Sequence, residues 1–133
     1  MIQIPRFAYN LTQKASNAAS NALASIPTDF VPQQISNILY PVKGGKLAER
    51  CDGKRGWIVL ISLGLSCSFS LRAPGMEQDR EFQLDSGDVL IYECSKEADI
   101  HHGANYILCL RTQTVSVFTL ITVLSVNRNQ EDL

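Results

Sequence analysis

The sequence predicts a mainly β domain, a sandwich or barrel flanked by one N-terminal helix. Three observations carry the prediction. Between Trp57 and Tyr92, short runs rich in Ile, Val and Phe alternate with turn signals at the spacing of successive strands in an all-β fold. A single stretch, Asn10–Ile26, repeats apolar residues at helical spacing. The 133 residues suffice for one core and not for two, so residues 1–133 are expected to form one domain.

In the helix, Leu11, Ala15, Ala18, Ala22, Leu23 and Ile26 share one side and should lie on a sheet, with Ser16, Asn17, Ser20 and Asn21 facing water. Asn10 serves as N-cap, and Pro27 ends the helix by biasing Ile26 away from helical angles. Asp29–Gln34, with Pro32, reads as irregular, and Ile35–Tyr40 as a strand leading into a Pro41–Gly45 turn. Trp57–Gly64 and Cys67–Leu71 read as buried strands, and the unbroken Ile58–Ile61 run predicts burial on both faces. Arg72–Asp79 is a hairpin loop containing Pro74 and Gly75. Glu81–Leu84 alternates polar and apolar residues as a half-buried strand does. Asp85–Asp88 is a tight turn with Gly87 supplying positive φ, Val89–Tyr92 the next strand and Glu93–Asp99 a polar loop. Beyond Tyr106 the chain is β-prone, without a clear breaker between Thr114 and Val126, and Asn129–Leu133 is a polar tail.

Hydrophobic content of 45% against 19% charged residues argues against wholesale disorder. A net charge of −1 exerts no general pull on nucleic acid, so a nucleic-acid binder must group its basic residues on one face. Lys43, Lys46, Arg50, Lys54 and Arg55 form one such group. Cys51, Cys67, Cys94 and Cys109 include no close ligand pair of the C-x-x-C kind, which argues against a cysteine zinc site. Met1–Phe7 lacks the charged and apolar regions of a secretory signal. Free thiols in an intracellular compartment, cytoplasm or nucleus, are therefore expected. The apolar Val115–Val126 run is shorter than the roughly 20 residues of a spanning helix, so no membrane is expected as partner.

Four motifs follow one another between Gly44 and Gly103: G-G-K-L-A-E-R-C-D (Gly44–Asp52), W-I-V-L-I-S-L-G (Trp57–Gly64), L-D-S-G-D-V-L-I-Y (Leu84–Tyr92) and I-H-H-G (Ile100–Gly103). Their order resembles the core of the AlkB-type iron(II)/2-oxoglutarate-dependent dioxygenases. In that family an H-x-D pair follows a G-x-K-L-like approach strand. A strand ending in S-L-G, a G-D-V strand and a second His followed by Gly come after it. The resemblance sharpens the fold to a double-stranded β-helix, a jelly-roll variant. It spans Ile35–Gly103 and fades from about residue 106, and the family's N-terminal substrate-recognition region is largely missing.

By this resemblance Asp52 and His102 are the metal ligands of an iron(II) site, with Gly103 marking His102 rather than His101. Arg50 stands in the place of the first histidine. On an extended segment residues 50 and 52 share a face, so Arg50 keeps the geometry and loses the ligand. Cys51 and Glu49 should point to the opposite face, and His102 should complete the site from across the barrel. For 2-oxoglutarate the resemblance implies Asn37, Tyr40 and Arg128, the last in L-S-V-N-R-N-Q (Leu124–Gln130), where the family's preceding arginine is absent. The implied activity is oxidative demethylation of alkylated bases in DNA or RNA. Arg50 and the absent arginine leave open a non-catalytic β-barrel binding module, and the missing N-terminal region with the unmatched Tyr106–Leu133 segment leaves open a truncated splice product.

Overall fold

The computed structural model describes residues 3–41, 45–108 and 118–127. Among them are one helix, α1 (Arg6–Ala22), and the strands β1 (Phe30–Tyr40), β2 (Leu47–Arg50), β3 (Trp57–Gly64), β4 (Ser66–Arg72), β5 (Arg80–Leu84), β6 (Val89–Glu93), β7 (His101–Leu108) and β8 (Phe118–Asn127). The strands form two four-stranded antiparallel sheets, ordered β1-β8-β3-β6 and β2-β7-β4-β5. This is the jelly roll expected from the sequence. No described helix is long and apolar enough to cross a membrane.

Side-chain alternation divides β3 between two layers. Ile58 and Leu60 point into the space between the sheets, where they meet Phe69, Cys67, Leu84, Tyr92 and Ala104. Val59 points the other way and packs with Val123, Ile35 and Ile91 under Ala8 of the helix. With a sheet on one side and a helix on the other, the Ile58–Ile61 run is buried throughout, as its lack of alternation predicts.

The helix differs from expectation in start, end and face. It begins at Arg6, directly after Pro5, which is extended (φ −61°, ψ 143°), so Asn10 lies inside it and is not the N-cap. It ends at Ala22, where Leu23 turns extended while its N–H still bonds the Ala19 carbonyl at 2.9 Å, well short of Pro27. The buried face carries Ala8, Thr12 and Ser16. Small side chains at this four-residue spacing let the helix lie close to the sheet, and Ser16 satisfies its hydroxyl locally by donating to the Gln13 carbonyl at 3.1 Å.

β1 also runs further than expected, through Pro32. Pro32 lacks an N–H, but β1 edges its sheet, where one missing donor is tolerated, and the register slips between Pro32 and Gln34. The segment after residue 106, where the family resemblance fades, supplies β8, the strand that joins β1 to β3.

Candidate functional site

β2 and β7 are neighbours in one sheet, and Arg50 lies directly opposite His102 in their pairing. His102 therefore reaches Asp52 from the adjacent strand, which corrects the expectation of an approach from across the barrel. Gly103 explains how β2 comes so near. A Cβ there would stand 2.9 Å from the Leu47 carbonyl oxygen and 3.2 Å from the Glu49 backbone, so any larger residue would push β2 away.

The result is a compact polar cluster at the mouth of the space between the sheets. Asp52 Oδ2 stands 3.7 Å from His102 Nε2, and Asp52 Oδ1 stands 3.5 Å from Arg50 Nε. His102 is buried and Arg50 half exposed. Phe69 stacks on the imidazole at 6.2 Å between ring centres and 14° between planes, while Tyr92 tilts against it at 5.0 Å. The cavity in front measures about 70 Å³ and is walled by β1 residues Gln34, Ser36, Ile38 and Tyr40 as well as Arg50, Asp52, Lys54, Tyr92 and His102. That is well above the roughly 10–15 Å³ needed to hold one water and admits only a few. A carboxylate or phosphate group fits such a space, and a drug-sized ligand does not.

Of the residues singled out by resemblance, Asp52, His102 and Tyr40 come together here. Asn37 does not join them. Even-numbered residues of β1 face the cavity, whereas the Asn37 side chain lies on the exposed face and accepts a hydrogen bond from the Thr119 hydroxyl. Arg128 lies outside the described residues. Lys54, from the basic group noted in the sequence, lines the cavity, whereas Gln34, Ser36 and Tyr92 carried no signal that was used. Strand parity counted back from Tyr40 would have found Gln34 and Ser36.

An iron(II) centre of the facial-triad type needs two imidazoles and a carboxylate around one ion. Asp52 and His102 are spaced as two such ligands. The third place is held by a guanidinium, which has no lone pair to donate and repels a cation. The donor set present does not fit the metal.

Burial is the main cause that holds the His102 imidazole below its ordinary 6.5; Asp52 opposes this, and Arg50 and His101 add to it. His102 Nδ1 is buried without a hydrogen-bond partner, as suits a neutral ring. The unfolded chain takes up this proton first, so it binds more protons than the native state, and stability rises with pH across the window. We expect denaturant midpoints to fall as pH drops below about 6.5, levelling out below the native pKa, and His102→Phe to flatten that slope. An equal slope in parent and variant would assign the acid sensitivity elsewhere.

No known family model matches the chain, and no curated protein matches it. Among solved structures it is similar to OsALKBH1, with a TM-score of 0.71 and 21% identity over 92% of this chain and 64% of that one. It is also similar to the Drosophila melanogaster CENP-C cupin domain, with a TM-score of 0.50 and 15% identity over 68% of this chain and 59% of that one. The chain thus spans less than two thirds of either structure. At these identities the likeness shows the fold alone, a jelly roll of two antiparallel sheets.

Proposed function

We propose that residues 1–133 form one AlkB-like domain whose interior pocket binds an anionic group in place of a metal, as a non-catalytic binding module working in the cytoplasm or nucleus. The observation that carries the reading is Arg50, opposite His102 and beside Asp52, where a metal ligand is required. Around the cavity Arg50 and Lys54 contribute two positive charges, Asp52 one negative charge, and His102 is neutral, so the pocket favours an anion. Carboxylates and phosphates are the natural occupants, because a guanidinium fork can bind two oxygens at once. The phosphate source that the resemblance suggests is single-stranded DNA or RNA.

The test is titration of the protein with 2-oxoglutarate, inorganic phosphate and a short single-stranded oligonucleotide, followed by NMR at low and high salt. Saturable shifts at residues around Arg50, weakened by salt and removed by Arg50→Gln, are expected. Shifts that persist unchanged in Arg50→Gln, or no binding by any of the three at low salt, would sink the reading.

A second reading rests on the 3.7 Å spacing of Asp52 and His102, which suits two ligands of one ion. In it water takes the place of the ligand that Arg50 does not supply, and the chain is an iron(II)/2-oxoglutarate-dependent demethylase of alkylated nucleobases. Anaerobic addition of iron(II) and 2-oxoglutarate would then give a weak visible charge-transfer band. Its absence at high protein concentration removes this reading.

A further inference from the structure

The sheet that carries Asp52 and His102 on its inner face carries a second set of ligand-type residues on its outer face. Arg50, Asp52 and His102 face the cavity, whereas Glu49 and, just past the end of β2, Cys51 lie on the other side with His101. Asp99, in a left-handed conformation (φ 49°) at the end of the preceding loop, meets them. One ligand atom from each of Cys51, Asp99 and His101 lies within 4.8 Å of the other two. His101 Nε2 is 3.0 Å from Asp99 Oδ1, and His101 Nδ1 is 3.8 Å from Glu49 Oε1. Arg72 holds Glu49 from the other side at 2.5 Å.

We infer that Cys51, Asp99 and His101 form a binding site for a thiophilic divalent cation of the zinc class. Zinc takes sulfur at about 2.3 Å and nitrogen or oxygen at about 2.0–2.2 Å in a tetrahedron, which sets its ligands roughly 3.5 Å apart. The present spacings, 3.0 Å for His101 and Asp99 and within 4.8 Å for every pair, bracket that value. A thiolate, an imidazole and a carboxylate give three ligands, leaving a fourth position for water. When His101 Nε2 turns to the ion, Nδ1 is free to donate to Glu49, and that carboxylate fixes the ring and strengthens it as a ligand.

Charge decides which face takes the cation. On the outer face Glu49 and Asp99 contribute two negative charges, a metal-bound Cys51 thiolate a third, and Arg72 one positive charge. The inner face has the opposite balance. Cys51 is also the accessible thiol among the described cysteines: Cys67 and Cys94 are buried, and burial pushes both thiols up to about 11.

The experiment uses the full chain, reduced and stripped of metal, titrated with cobalt(II) as a spectroscopic stand-in for zinc. Expected are one ion per chain, an intense near-ultraviolet sulfur-to-cobalt band, and displacement of cobalt by zinc. Cys51→Ser should abolish the band. His101→Ala should weaken binding by more than the roughly 10–100-fold lost with an outer-shell partner. Asp52→Ala should leave both unchanged, which separates this site from the inner pocket. In the unaltered chain, zinc should slow alkylation of Cys51 as mapped by mass spectrometry, a readout that needs no variant to fold. Absence of stoichiometric cobalt binding, a band that survives Cys51→Ser, binding lost in Asp52→Ala, or alkylation of Cys51 unaffected by zinc would each overturn the inference.

Discussion

Arg50→His should raise the protein's affinity for iron(II). The substitution removes a fixed positive charge from the pocket and adds an imidazole in the same step. Position 50 is held opposite His102, and the Arg50 side chain meets Asp52 at 3.5 Å, so the new ring is directed at the gap beside Asp52 and His102. Two imidazoles and a carboxylate then surround one point, the donor set that suits non-haem iron(II). We expect a gain of about 100-fold or more in iron affinity, in keeping with the weight of a direct ligand against an outer-shell one. Conversion of 2-oxoglutarate to succinate should rise above background, even without turnover of a methylated base. Iron content after anaerobic loading, measured side by side, checks the first claim. An Arg50→His protein that binds no more iron than the parent would mean that the wall opposite cannot complete a metal site. The same variant should lose the anion binding proposed for the parent.

The largest effect on stability is expected at Phe69. This side chain is wholly buried at the centre of the inter-sheet core, with Phe82 tilted against it at 5.7 Å and His102 stacked on its other side. Truncation to alanine removes the apolar area and leaves a cavity that two sheets already locked in register cannot close. Phe69→Ala should cost about 3–5 kcal/mol, seen as a lower denaturant midpoint at unchanged slope. Phe69→Leu should cost at most about 1.5 kcal/mol, because it keeps most of the volume. Equal losses for the two variants would show that the aromatic ring against His102, and not the filled volume, is what the core requires.

The sequence carried much of this fold in its side-chain alternation. The unbroken run at Ile58–Ile61 foretold a strand covered on both faces, and the period-two rule separated Arg50 and Asp52 from Glu49 and Cys51 correctly. Where reasoning along the chain failed, a neighbour in space had decided the outcome. Pro32 looks like a breaker until β1 proves to be an edge strand, where its missing donor is tolerated. Ser16 looks like a wet helical position until the helix is seen to approach the sheet through Ala8, Thr12 and Ser16. Asn37 matches a family residue type, but its parity puts it on the outer face. The outer cluster was equally hard to foresee. Cys51 and His101 are 50 positions apart and share no motif, and only the pairing of β2 with β7 brings them together.

The place of β8 bears on how the chain can be made. β8 follows the other described strands in sequence, yet it lies between β1 and β3, pairing Phe30 with Asn127 and Trp57 with Ser125. During synthesis β1 and β3 leave the ribosome long before the strand that joins them. Until it arrives, β1 has no partner among the described strands and β3 has one open edge. Such non-local pairing is slow to form, and waiting edges invite association with other chains. A nascent chain that stalls short of Phe118 is therefore a client for chaperones and not a partly built barrel.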